Sequence, residues 1–113
     1  MTLDLDALFT TCGVTKINKL MKFIRDMRTD NEESYNQTIE YIDEHLEFWY
    51  KAAVSAVRNY EANTHGSYAY QRYKREAINC EKEFKKYHKA LNILTNVHTT
   101  LDNRIYIMKK RVD

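Results

Sequence analysis

Proline is absent from this chain of 113 residues, and glycine occurs only twice, at Gly13 and Gly66. Nothing else interrupts a helix strongly, so an all-helical reading comes before any sheet. Strand signals are missing as well. No apolar run approaches the roughly 18 residues that a membrane-spanning helix needs, and Leu3 to Phe9 is too short and too acidic for a signal peptide. These absences point to a cytoplasmic protein without a membrane partner. Two cysteines are too few for a disulfide framework. Cys80 falls on an apolar seam and Cys12 in a loop-like stretch, which favours reduced thiols.

What the chain does have is helical periodicity. From Tyr73 onward, apolar residues recur alternately four and three positions apart: Tyr73, Ala77, Cys80, Phe84, Tyr87, Leu91, Leu94, His98, Leu101, Ile105, Met108 and Val112. Only His98 is polar, and the expectation is that it sits on the seam hydrogen-bonded across the bundle. A spacing averaging about 3.5 residues keeps one narrow stripe facing a partner helix. The pattern predicts one long helix over about 67–112. Tyr35, Ile39, Ile42, Leu46, Trp49, Ala53, Ala56 and Tyr60 form a second seam, predicting a helix over about 30–63. Thr29 and Glu32 fit a capping box at its start. Gly66 can close the second helix, and Thr64 or Ser67 can cap the next. So short a link makes the two helices antiparallel neighbours.

Ahead of them, Val14, Ile17, Leu20, Met21, Ile24 and Met27 share one face of a helix over about 15–28. A segment 1–13, with Leu5, Leu8 and Phe9 on one side, is a short helical turn stopped by Gly13. The expected architecture is one all-α domain over 1–113, an antiparallel helical hairpin with a shorter N-terminal helix, coiled-coil-like or a three-helix bundle. The longer final helix overhangs its partner, and the helix over 15–28 is expected to cover Leu101 to Val112 through the flanking stripe Ala90, Ile93, Val97, Thr100 and Ile107. It should also meet Tyr41, His45 and Phe48.

Charge divides along the chain. Residues 1–29, 30–66 and 67–113 carry net +2, −6 and +6, giving +2 in all. The acidic second helix therefore answers much of the basic third.

Leu46 to Val57 is apolar or aromatic at all but three positions, so apolar groups surround the helix and one neighbour cannot cover them. Tyr60, Tyr68, Tyr70, Tyr73 and Ile78 add to that end. The simplest closed solution is a homodimer forming a four-helix bundle. Large aromatics dominate interfaces, so the expected contact residues are Phe48, Trp49, Tyr50, Val54, Val57, Tyr60, Tyr70 and Tyr73. Folding of the short N-terminal segment, or of a bent helix over 15–28, over the same surface is the alternative.

Chemical motifs are few. Carboxylate-bridged metal bundles use Glu-x-x-His, but Ile42, Ala62, Lys85 and Thr95 stand three before His45, His65, His88 and His98. Glu40, Asp43, Glu44 and Glu47 thus read as a solvated acidic face, and neither a metal nor a cofactor is expected. Arg72, Lys74, Arg75, Lys82, Lys85, Lys86 and Lys89 lie among Tyr68, Tyr70, Tyr73 and Tyr87, a combination able to meet phosphates and stack on bases. Lys109, Lys110 and Arg111 suit the negative end of a helix. Arg58-Asn59 followed by His65 resembles the Arg-x(4–6)-His pattern of the HEPN ribonuclease family, whose members are small helical bundles, often dimeric. That resemblance would make Arg58 and His65 the residues acting on RNA. The leading expectation is a non-catalytic protein-protein interaction module binding an unknown protein partner, with nucleic-acid binding and a HEPN-like ribonuclease or toxin as alternatives.

Overall fold

The computed structural model describes residues 3–113. It is all-α, with helices α1 (Leu5–Thr11), α2 (Val14–Asp26), α3 (Glu32–Glu61), α4 (Tyr68–Thr95) and α5 (Leu101–Val112) and no strand among the described residues.

Each boundary has a local cause. Asp4 caps α1 by accepting from the Ala7 N–H at 3.1 Å, and α2 begins directly after Gly13. The start of α3 differs from the expected capping box: Asn31, not Thr29, is the N-cap, accepting from the Ser34 N–H at 3.4 Å, while Met27 to Asp30 form a turn. Glu32 and Glu33 then lie in the first turn, where they suit the positive end of the helix dipole. Gly66 closes the hairpin at φ 82°, a conformation that costs a residue without Cβ little. Ser67 caps α4 by accepting from the Tyr70 N–H at 3.1 Å.

α3 and α4 form the expected antiparallel hairpin, closing on Ile42, Leu46, Phe84, Tyr87, Leu91 and Leu94. α2 buries Ile17, Met21 and Ile24 and lies along the far end of α4, where Arg25 Nη1 donates to the Ile93 carbonyl at 3.2 Å. It thus covers the Ala90 and Ile93 part of the expected stripe. Val97 and Ile107 are exposed, because the chain has turned away by then. Tyr41 and His45 meet α1 instead of α2, through Phe9 and Asp6.

The single helix over 67–112 is the main correction. α4 ends at Thr95, and Asn96 takes the left-handed conformation at φ 56°. The Asn96 N–H bonds the Ile93 carbonyl and the Val97 N–H bonds the Asn92 carbonyl, the paired closure of a Schellman motif with asparagine in the glycine position. Thr100 then caps α5, accepting from the Asn103 N–H at 3.2 Å. α5 folds back antiparallel to α4, so there is no overhang. The apolar phase also slips. Met108 stays buried, but Ile105 is exposed and Arg104 is buried in its place. His98 lies exposed in the connecting loop and is not a seam residue.

Arg104 is held by a polar network between α4 and α5. Its Nε donates to His88 Nδ1 at 3.2 Å and its Nη2 to Asn92 Oδ1 at 2.9 Å. Asn92 Nδ2 in turn donates to the Thr99 carbonyl at 2.9 Å, tying the loop to the helix. Burial pulls the Arg104 guanidinium down from its ordinary value, with Asp43 opposing and Arg111 adding to the shift. Arg111 itself pairs with Asp43 at 2.7 Å, which joins the basic C-terminal segment to the acidic α3.

Because His88 accepts at Nδ1, the bond requires a neutral ring, and burial followed by the Arg104 charge lowers its pKa. A base that folds in its neutral form makes the unfolded state bind more protons. Stability should therefore fall as the pH drops below about 6.5, the unfolded value, and continue falling until the folded pKa is passed. His88→Gln keeps an acceptor without titrating. Melting temperatures followed from about pH 7.5 to 5 should decline more steeply in the native chain than in this variant; parallel curves would contradict the account.

Candidate interaction surfaces

The excess of apolar residues between Leu46 and Val57 is divided by the fold into two faces. Residues nine apart on α3, such as His45 and Val54, stand about two and a half turns apart and so point in opposite directions. Tyr50, Val54, Val57 and Tyr60 face one side. Phe48 and Trp49 face the other, where α1 lies.

The first face is an open groove of about 520 Å³ at the hairpin end. α3 contributes Tyr50, Ala53, Val54, Val57, Arg58 and Tyr60; α4 contributes Lys74, Ala77, Ile78, Glu81 and Phe84; α5 closes one end with Ile105. The floor is apolar and the charges stand at the rim. Ile78, which lines the groove, is 57% exposed. Four of the eight expected interface residues line this groove. Tyr70 does not; it packs edge-to-face on Tyr60, with centroids 5.4 Å apart. Tyr73 is half-buried under the Arg72 guanidinium. Ala77, Phe84 and Ile105 were missed as site residues, although the heptad spacing had marked them as apolar.

The second face is an aromatic recess. Phe9 stacks on Tyr87 at 4.7 Å and 10° and tilts against Tyr41 at 5.4 Å. His45 stacks on the same Tyr87 at 5.1 Å, while His45 Nδ1 lies 2.8 Å from the Tyr41 carbonyl. The Tyr41 hydroxyl donates to Asp6 at 2.9 Å. Burial, the adjoining Tyr87 hydroxyl and the Asp6 carboxylate push Tyr41 well above the ordinary tyrosine range, so it stays a donor. Burial likewise raises Tyr87. Cys80, buried nearby on α4, has its thiol raised by burial and by Glu76 and Glu83. It is therefore a poor nucleophile.

No family model matches the chain, and no curated protein or solved structure shows significant similarity to it.

Two of the other sequence readings can be placed on the fold. Arg58 lies exposed on α3 at the groove, whereas His65 stands in the turn with its ring 4.7 Å from Tyr70. Among the basic residues of α4, Arg72 pairs with Glu76 at 3.5 Å, Lys85 with Glu81 at 3.0 Å and Lys86 with Glu83 at 2.7 Å. Tyr87 is buried, so it offers no stacking face. No three His, Cys, Asp or Glu side chains among the described residues converge as a metal site would require, and no described helix is long and apolar enough to cross a membrane.

Proposed function

We propose that the protein is a small non-catalytic interaction module that pairs with a second copy of itself through the α3–α4 groove, and that this dimer engages a macromolecular partner with its remaining surface. The cytoplasm, where free thiols persist, is the setting that fits Cys12 and Cys80.

The observation that carries the homodimer is a symmetry in the groove. On α4, Lys74 and Glu81 flank the Ala77–Ile78 pair at equal distance along the helix and line the same face. If two α4 helices cross antiparallel about a two-fold axis at that pair, each Lys74 meets the Glu81 of the other copy. A two-fold interface requires this kind of self-complementarity. The apolar centre with a charged rim also follows ordinary interface anatomy.

Size points the same way. The chain exposes 7705 Å², against about 6,600 Å² for a compact monomer of this mass. Its Cα radius of gyration is 15.9 Å, against about 13 Å for a compact domain of this length. The excess, about 1,100 Å², is somewhat more than the roughly 800 Å² that one partner contributes to a standard interface. The shape is a slab of 55 × 29 × 19 Å, thin in one direction, and stacking a second copy on the groove would thicken it into a four-helix core.

Sedimentation equilibrium over a concentration series tests the reading. The mass should rise toward twice 13.6 kDa, and the association should weaken modestly as salt screens the rim pairs. A mass that stays at one chain up to about millimolar concentration would contradict it, because a dissociation constant that weak corresponds to only about 4 kcal/mol.

A further inference from the structure

We propose that the recess between α1, α3 and α4 is a binding site for an alkylammonium group. The site lies on the face of α3 turned away from the groove and does not depend on the dimer.

Its walls are aromatic. Phe48 and Trp49 meet edge-to-face at 4.9 Å and 86°, making a right-angled corner, and Tyr41 lines the same recess, while the Tyr87 ring, buried and stacked on Phe9 and His45, offers no face to a ligand. Phe48 is 59% exposed, and no contact within the hairpin core accounts for a phenyl ring in that position. Asp6 and Glu44 stand at the edge. Glu44 has no ion pair among the described residues, and among them Asp6 has no Lys or Arg partner, only the His45 ring at 3.9 Å. The recess holds about 390 Å³, within the range of small-ligand pockets, about 300–1,000 Å³.

This combination selects its ligand by elimination. Aromatic faces carry negative quadrupoles and attract cations, most strongly when several rings enclose one centre. An anion would be repelled by both rings and carboxylates. A hard metal ion needs converging oxygens, which the recess does not supply. A neutral apolar ligand would leave Glu44 unpartnered and would partly desolvate both carboxylates at a cost. A soft organic cation satisfies walls and rim together. The chain already demonstrates the chemistry next door: Lys86 Nζ sits 5.2 Å from the Tyr87 ring centroid, bonded to Glu83 at 2.7 Å and to the Phe9 carbonyl at 2.6 Å. That ammonium neutralises Glu83 and leaves the Asp6 and Glu44 side of the recess acidic.

Trp49 is the only tryptophan in the chain, so its emission and its indole N–H resonance report on this site alone. At matched ionic strength, titration with choline and with Nα-acetyl-trimethyllysine methylamide should give a saturable change. The neutral isostere 3,3-dimethylbutan-1-ol should not. Tighter binding of the lysine derivative assigns the ammonium to a peptide side chain, and equal binding assigns it to a free small cation. Glu44→Gln and Phe48→Ala, both at solvent-facing positions, should keep the helical circular-dichroism spectrum and weaken binding roughly fivefold or more. The proposal fails if the neutral isostere matches the cations, if neither cation saturates below about 10 mM, or if both variants bind as the native chain does.

Discussion

Phe9→Ala is expected to destabilise the chain by about 3–5 kcal/mol, the usual cost of truncating a fully buried phenylalanine. The ring is 0% exposed and stacks on Tyr87 at 4.7 Å, so the loss includes a specific aromatic pair as well as buried area. Its consequence extends beyond a cavity. α1 has seven residues, too few for a helix to persist alone in water. Besides Phe9, α1 is held by Leu5 and Leu8, partly buried against the core, by the Tyr41–Asp6 bond at 2.9 Å, by His45 at 3.9 Å from Asp6 and by the Lys86 contact to the Phe9 carbonyl. Without the ring, α1 should detach and expose Tyr41 and Tyr87. The melting temperature should fall by at least about 12 °C. A fall below about 4 °C would mean that α1 is not an integral part of the core. Asp6→Asn, which alters only the exposed contacts to Tyr41 and His45, should cost less than about 1.5 kcal/mol and serves as the control.

Ile78→Asp should have the largest effect on association. The side chain is 57% exposed in the single chain, so the fold has little to lose and the far-ultraviolet circular dichroism should be unchanged. In the proposed dimer the same position would lie at the two-fold axis, and the variant would bring two carboxylates together in an apolar centre. Burying an unpaired charge is among the most costly single changes an interface can suffer. The dissociation constant should rise by about 30-fold or more, the equivalent of 2 kcal/mol. Sedimentation of the variant should give one chain at concentrations where the native protein gives two. Tyr68→Asp, at an exposed residue outside the groove, should leave the mass distribution as it was.

The hairpin could be read from the sequence because its causes are local and repeated. Ile42 and Leu46 on α3, and Phe84, Tyr87, Leu91 and Leu94 on α4, hold the spacing that one buried stripe requires, and Gly66 and Ser67 mark the turn. The break at Asn96 was hidden by that same spacing. Leu94, Leu101 and Met108 are seven apart, so a reversal that returns the chain in phase leaves the periodic pattern intact. Its signs were short-range: an asparagine able to turn left-handed, then Thr100 as a cap with Asp102 in the first turn. Arg104 was harder still. A buried arginine becomes acceptable only once His88 and Asn92 are brought beside it from 16 and 12 residues away, and no helical pattern encodes that.

The excess apolar surface was legible in amount but not in arrangement. Too many apolar groups around Leu46 to Val57 meant that something had to cover them. That α1 would claim the Trp49 side, and leave Tyr50, Val54 and Val57 in an open groove, depended on where a short N-terminal helix docks. The Lys74 and Glu81 symmetry became visible only when both were seen on the groove face.

That symmetry also yields the most direct test. Lys74→Glu and Glu81→Lys each create like-charge pairs across the proposed two-fold axis, so each variant alone should sediment as one chain. Mixed in equal amounts at low salt, every contact between the two variants becomes attractive, with two carboxylates on one copy facing two ammonium groups on the other. The account predicts that the mixture sediments at twice 13.6 kDa while neither component does. A mixture that remains at one chain, or single variants that dimerise as well as the native protein, would contradict it.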